Sequence, residues 1–179
     1  VLPYFKRAED QNRGAMEFHG TGGPLAVSDL VERHPLSDAF IEAGQQFGLP
    51  LNRDFNGADQ EGVGYFQFTA RNKWRCSTAV GYLRPVEGRS NLRIVTGAMA
   101  TRLIIEGRQA RGVVVREGAS DATYRCRREV ILAAGAIKSP HLLLLSGIGP
   151  GVQLQSFGIP VVHELAGVGN DLQDHLQVK

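Results

Sequence analysis

Gly135 to Gly149 (Gly-Ala-Ile-Lys-Ser-Pro-His-Leu-Leu-Leu-Leu-Ser-Gly-Ile-Gly) is the most informative stretch of the chain, and what it offers is small side chains rather than reactive ones. Ala134, Gly135 and Ala136 close an unbroken apolar run, Val130 to Ala134, whose length suits a parallel strand covered on both faces. A glycine at the C-terminal end of such a strand has no Cβ, so the backbone can turn sharply or approach a flat ligand closely. Ser139-Pro140 then supplies an N-cap and a first-turn proline for a helix that Gly147 stops. The chemistry open to such a corner is non-covalent: peptide groups hold a planar molecule where open α/β sheets bind their ligands.

Other reactive side chains give less. Asp174 precedes His175, but neighbouring residues on a strand point to opposite faces, so Asp174 is poorly placed to orient that imidazole. His19, His34, His141 and His163 read as loop or surface residues. Cys76 and Cys126 show neither C-x-x-C nor Cys/His spacing, which argues against zinc, a disulfide framework or a dithiol redox pair. Three glycine-rich stretches, at residues 20–23, 62–67 and 167–172, lack the strand, G-x-G-x-x-G turn and helix of a dinucleotide fingerprint and read as loops.

With 42% hydrophobic and 21% charged residues in 179, the composition is that of a globular chain. Twenty Lys and Arg against 18 Asp and Glu leave a charge of +2, and the two basic clusters, near Arg71–Arg75 and Arg125–Arg128, fit a hairpin turn and an exposed strand. No nucleic-acid partner is expected. The longest apolar stretch, Val130–Ile137, falls well short of the roughly 20 residues of a membrane helix, so no transmembrane segment is expected and a cytoplasmic location is favoured.

Residues able to position the corner surround it. Leu2–Glu9 predicts a short helix and Asp10–Gly23 a connector; Leu36, Phe40, Ala43 and Phe47 predict a helix opened by Pro35, ended by Gly48 and packed on its apolar side. Alternation over Val63–Thr69 predicts a strand with Phe66 and Phe68 on one face. Leu92–Thr96, Ala100–Ile105, Gly112–Arg116 and Thr123–Arg127, separated by Gly107-Arg108 and Gly118–Asp121 turns, predict a β-meander. Val152–Phe157 reads as a helix and Pro160–His163 as a strand. The class is mixed α/β.

The 135–149 stretch resembles the second signature of the glucose-methanol-choline (GMC) family of FAD-dependent oxidoreductases: Gly-Ala, two free positions, Ser-Pro, a leucine-rich turn, then Ser-Gly-aliphatic-Gly. Residues 1–9, 19–25, 75–79, 82–85 and 167–175 are similar to further landmarks of that family in the same order. Lys138 and Asn170-Asp171 depart from the usual residues, at positions to which no chemistry is assigned. The resemblance implies a portion of a glutathione-reductase-like FAD-binding domain with a β-meander, plus part of an antiparallel-sheet substrate domain. Its expected boundaries are 1–84 for the connector and substrate portion, 85–150 for the FAD portion, and 151–179 for the return towards the substrate domain.

Family likeness also implies that the backbone of Ala100 meets the FAD adenine, that Ala134, Gly135 and Ala136 border the cofactor, and that Phe66 and Phe68 wall the substrate pocket. The family's G-x-G-x-x-G turn and catalytic histidine have no counterpart here, so the chain reads as an internal segment, with no catalytic residue, whose partners are the remaining N- and C-terminal parts of one protein. The implied reaction is hydride transfer from a small alcohol to FAD, with oxygen or a quinone as electron acceptor. Leu176 and Gln177 stand where relatives that oxidise quaternary-ammonium alcohols carry an acidic residue, which disfavours a choline-like substrate. A flavin-containing hydroxynitrile lyase and a module that has lost FAD are the alternatives.

Overall fold

The computed structural model describes residues 1–175 and divides into two compact units, Val1–Ile94 and a second beginning at Val95. In the first, α1 (Leu2–Ala8) leads into β1 (Glu9–Gln11), which pairs in parallel with β2 (Leu25–Val27). Next comes α2 (Pro35–Gln46), opened by Pro35, capped by the His34 ring accepting from Leu36 N–H, and followed by Gly48 at φ +102°. A small hairpin, β3 (Ala70–Arg71) with β4 (Trp74–Arg75), precedes two short helical turns over Ala79–Leu83 and Arg84–Val86.

Two expectations for this unit fail. The α2 stripe is not packed: Leu36, Phe40 and Phe47 are exposed, and the helix instead meets Val63 through Gly44, where an added Cβ would lie 3.1 Å from both Val63 methyls. Absence of a side chain, rather than presence of apolar ones, sets the contact. Residues 63–69 are not a strand, because only isolated bridges (Leu51 to Val63, Ser28 to Phe68) pair them and alternation alone supplies no ladder partner. The apolar core is small (Ala26, Val63, Cys76), and Gln11 and His19 are buried with it.

The second unit is built on the meander. β5 (Ala98–Glu106), β6 (Gln109–Glu117) and β7 (Ser120–Arg125) form an antiparallel sheet in that order. Two-residue connections begin with Gly107 at φ +61° and Gly118 at φ +63°, a conformation that glycine adopts without steric cost and that suits the twist of tight hairpins. Leu92–Thr96, expected as a strand, lies outside the sheet, since Gly97 at φ +68° turns the chain just before β5. Beyond the sheet come α3 (Gly135–Leu145), β8 (Ile148–Gly149), α4 (Gly151–Ser156) and β9 (His163–Glu164), with β8 and β9 paired in parallel.

Val130–Ala134, expected as a buried strand, pairs with no strand among the described residues, and Ile131 is 79% exposed. An apolar run reports a demand for cover on two faces; it does not provide the neighbours that meet it. The core instead gathers Leu103, Val114 and Val115 from the sheet with Leu142, Leu154 and Val168. Ser146 joins sheet to helix: its Oγ accepts the Leu103 N–H at 2.8 Å and donates to the Leu142 carbonyl at 2.6 Å. Ser146→Ala leaves a part-buried amide without its acceptor, and thermal or urea unfolding of the full-length protein should register a loss of about 1–3 kcal/mol.

Candidate functional site

Gly135 sits at φ +85°, in the left-handed region that favours glycine, and a Cβ built there would meet no atom within 4 Å. Ala134 and Ala136 are likewise exposed. The corner is therefore an open backbone surface with only methyl groups beside it. The helix starts here, four residues before Ser139, which corrects the expected cap: Ser139 Oγ instead reaches back to accept the Ala134 N–H at 3.1 Å, and Pro140 lies inside the helix. A left-handed glycine can turn the chain straight into a helix, so no serine cap is needed at position 139. No side chain caps the N-terminal amides of α3, and no acidic residue occupies its first turn. Pro140 has no N–H for the Ala136 carbonyl, which lacks that intrahelical partner. The corner thus presents free donors at the positive end of a helix dipole together with an acceptor.

Ala100 lies exposed on β5, opposite Val115, and β5 is an edge strand. The register shifts between Ala100 and Arg102, and Thr101, the extra residue of this bulge, donates its hydroxyl to the Val114 carbonyl at 3.1 Å. A peptide on an unpaired edge offers one N–H and one C=O, the pair an adenine edge can match. The structure brings Ala100, Ala134, Gly135 and Ala136 into one unit, and Ser146, absent from the sequence-based candidates, fastens the strand of the first to the helix of the others.

Phe66 and Phe68 belong to the other unit. Both border a groove of about 420 Å³ beside α2, with Leu36, Phe40 and Tyr65. Phe68 alone also lines a larger open groove of about 870 Å³, with Ser28, Asp29, Gln67, Lys73 and Arg75. Phe66 packs on Phe55 with ring centroids 4.5 Å apart. Asp29, on the larger groove, is held below the usual carboxylate range, chiefly by hydrogen bonds from Arg13, against the opposing effect of burial and with help from Gln67.

His19 is not a surface residue. It is 3% exposed, between Glu9 and Asp54. No local pattern could have signalled this, because its partners lie 10 and 35 residues away in sequence. Among the other histidines, His34 caps α2 and His141, His163 and His175 are exposed. Leu176 and Gln177 lie outside the described residues. Among the described residues, no cluster of His, Cys, Asp and Glu is arranged to hold a metal ion, and no helix is long and apolar enough to cross a membrane.

Comparison with known proteins identifies the family. Residues 1–177 match the family described as GMC oxidoreductase. The oxygen-dependent choline dehydrogenase of Brucella anthropi is 47% identical over 178 residues, covering 99% of this chain and 32% of that protein. That of Pectobacterium carotovorum is 47% identical over 179 residues, with the same two coverages. Among solved structures, pyridoxine 4-oxidase from Mesorbium loti is 38% identical with a TM-score of 0.86, over 92% of this chain and 33% of that one. An FAD-dependent oxidoreductase from Chaetomium thermophilum is 29% identical with a TM-score of 0.86, over 97% and 32%. The chain thus spans about a third of the length of these relatives. It belongs to the GMC oxidoreductase family.

Proposed function

We propose that these residues form a cofactor-side portion of an FAD-dependent oxidoreductase that acts on the CH–OH group of a small alcohol. The main support is the exposed corner at Gly135, where a left-handed glycine, flanking alanines and uncapped amides leave room and hydrogen-bonding capacity for a flat, anionic nucleotide. The residues present fit FAD: Ala134, Gly135 and Ala136 would lie along it, and the Ala100 peptide on the β5 edge would receive its adenine. When bound, the flavin supplies a hydride acceptor for the carbinol carbon. Uncapped amides at the start of α3 favour negative charge, and the small alanine methyls do not block approach.

Choline and pyridoxine both carry a hydroxymethyl group, so the relatives named for them support a hydroxyl-bearing substrate. We assign the substrate wall to Phe66 and Phe68, a reading supported by the aromatic groove they border.

The test is spectroscopic. Full-length protein purified from its natural gene should show an oxidised flavin band at roughly 450 nm that bleaches when an alcohol substrate is added without oxygen. A colourless protein that cannot be reconstituted with FAD overturns the reading; a bound flavin that no alcohol reduces overturns the redox assignment and favours the lyase alternative.

A further inference from the structure

His19 has a carboxylate at each ring nitrogen: Glu9 Oε1 and Oε2 lie 2.9 and 3.0 Å from Nδ1, and Asp54 Oδ2 lies 2.9 Å from Nε2. Carboxylates only accept, so both contacts are hydrogen bonds only when the ring is doubly protonated. The polar contacts then run on. Glu9 accepts from the Gln11 amide at 3.2 Å, and Gln11 exchanges two hydrogen bonds with Gln67 at 2.8 and 2.9 Å. Gln67 donates to Asp29 at 2.9 Å, and Arg13 binds the same carboxylate through Nε at 2.9 Å. Finally, Arg13 donates through Nη1 to the carbonyl of Arg53 at 2.7 Å, next to Asp54. The contacts close a ring, and two of its members, Gln67 and Asp29, line the larger groove.

We propose that His19 is a positioning residue, a protonated keystone that closes this ring and fixes the Gln67–Asp29 wall of the groove, so that proton loss at high pH opens the ring and loosens the wall.

Each packed element supplies its charges. β1 brings Glu9, and also Asp10, which is turned away to Arg71 at 2.8 Å. α1 brings Lys6, whose ammonium is bonded to the carbonyls of Met16 and Glu17 in the loop that carries His19. The segments at 13 and 29 bring Arg13 with Asp29, the loop at 54 brings Asp54, and the 63–69 segment brings only the Gln67 amide to the ring. Burial of the ring is the largest single influence and opposes charge, but the hydrogen bonds and charges of Glu9 and Asp54 together outweigh it and raise the His19 pKa above 6.5. A raised folded-state pKa means that the stabilisation is complete below 6.5 and is lost as pH rises through the folded value.

Hydrogen exchange on the full-length protein, corrected for intrinsic rates, tests this and does not depend on a bound flavin. Between about pH 6 and about pH 9, protection of the segments spanning 16–23, 51–57 and 64–69 should fall by up to about tenfold per pH unit, while β6 serves as an unresponsive control. In His19→Gln those segments should exchange faster already at low pH and lose the pH response. Asp54→Asn should keep the response but move its midpoint to lower pH, and it decides the matter if His19→Gln fails to fold. A pH response that survives in His19→Gln, or a midpoint unmoved in Asp54→Asn, overturns the proposal.

Discussion

Gly135→Val is expected to strip flavin from the full-length protein while lowering its stability only modestly. An L side chain in the left-handed region costs about 1–3 kcal/mol, more for a β-branched one than for alanine. Among the described residues no atom lies within 4 Å of a Cβ at Gly135, so no backbone clash adds to that cost there. A ligand lying against the backbone would meet the new methyl groups directly. Flavin-to-protein ratio measured by absorbance should therefore drop by about tenfold or more, corresponding to about 1.4 kcal/mol or more of lost binding, with Gly135→Ala intermediate. If Gly135→Val retains a full complement of flavin, the corner is a turn and nothing else.

The largest loss of stability is expected at Leu154, which is 1% exposed and the most completely buried large side chain described. It projects from α4, with its Cδ1 3.9 Å from the position of a Cβ on Gly149 in β8. Leu154→Ala removes this filling, and a cavity of that kind typically costs about 2–5 kcal/mol. Leu145→Ala, at a position 43% exposed, is the matched control and should cost far less. Comparing urea midpoints of the two variants checks the ranking; equal losses would mean that Leu154 does not anchor the core.

Local chemistry in the sequence foretold α2, the meander turns and the glycine corner, since proline and left-handed glycines act on their immediate neighbours, while the His34 cap of α2 was not read from it. The strands expected at 63–69 and 130–134 fail for one shared reason. Alternation and apolarity describe what a segment needs from others, and ladder partners are supplied, or not, by distant residues. Candidate site residues divide the same way. The turn of small residues at Ala134, Gly135 and Ala136 is legible because small size at a turn is a local property, whereas their cofactor role rests on the proposal above. Ser146 was visible only as a signature serine, and its hold on Leu103 spans 43 residues. The buried ion cluster around His19 was not legible at all, because a histidine's surroundings do not show in its neighbours along the chain.

The unpaired side of β5 has a second consequence. An unpaired row of peptide groups along a strand edge can admit a strand from another copy; on β5 the row is already broken at Leu103, whose N–H is taken by Ser146 Oγ. The bulge at Thr101 and the charged Arg102 beside it interrupt that row, breaking the flat repeat that cross-chain pairing requires. Under the cofactor role proposed for Ala100, solubility and ligand capture meet on the same few peptide units, and substitutions that straighten this edge would trade one for the other.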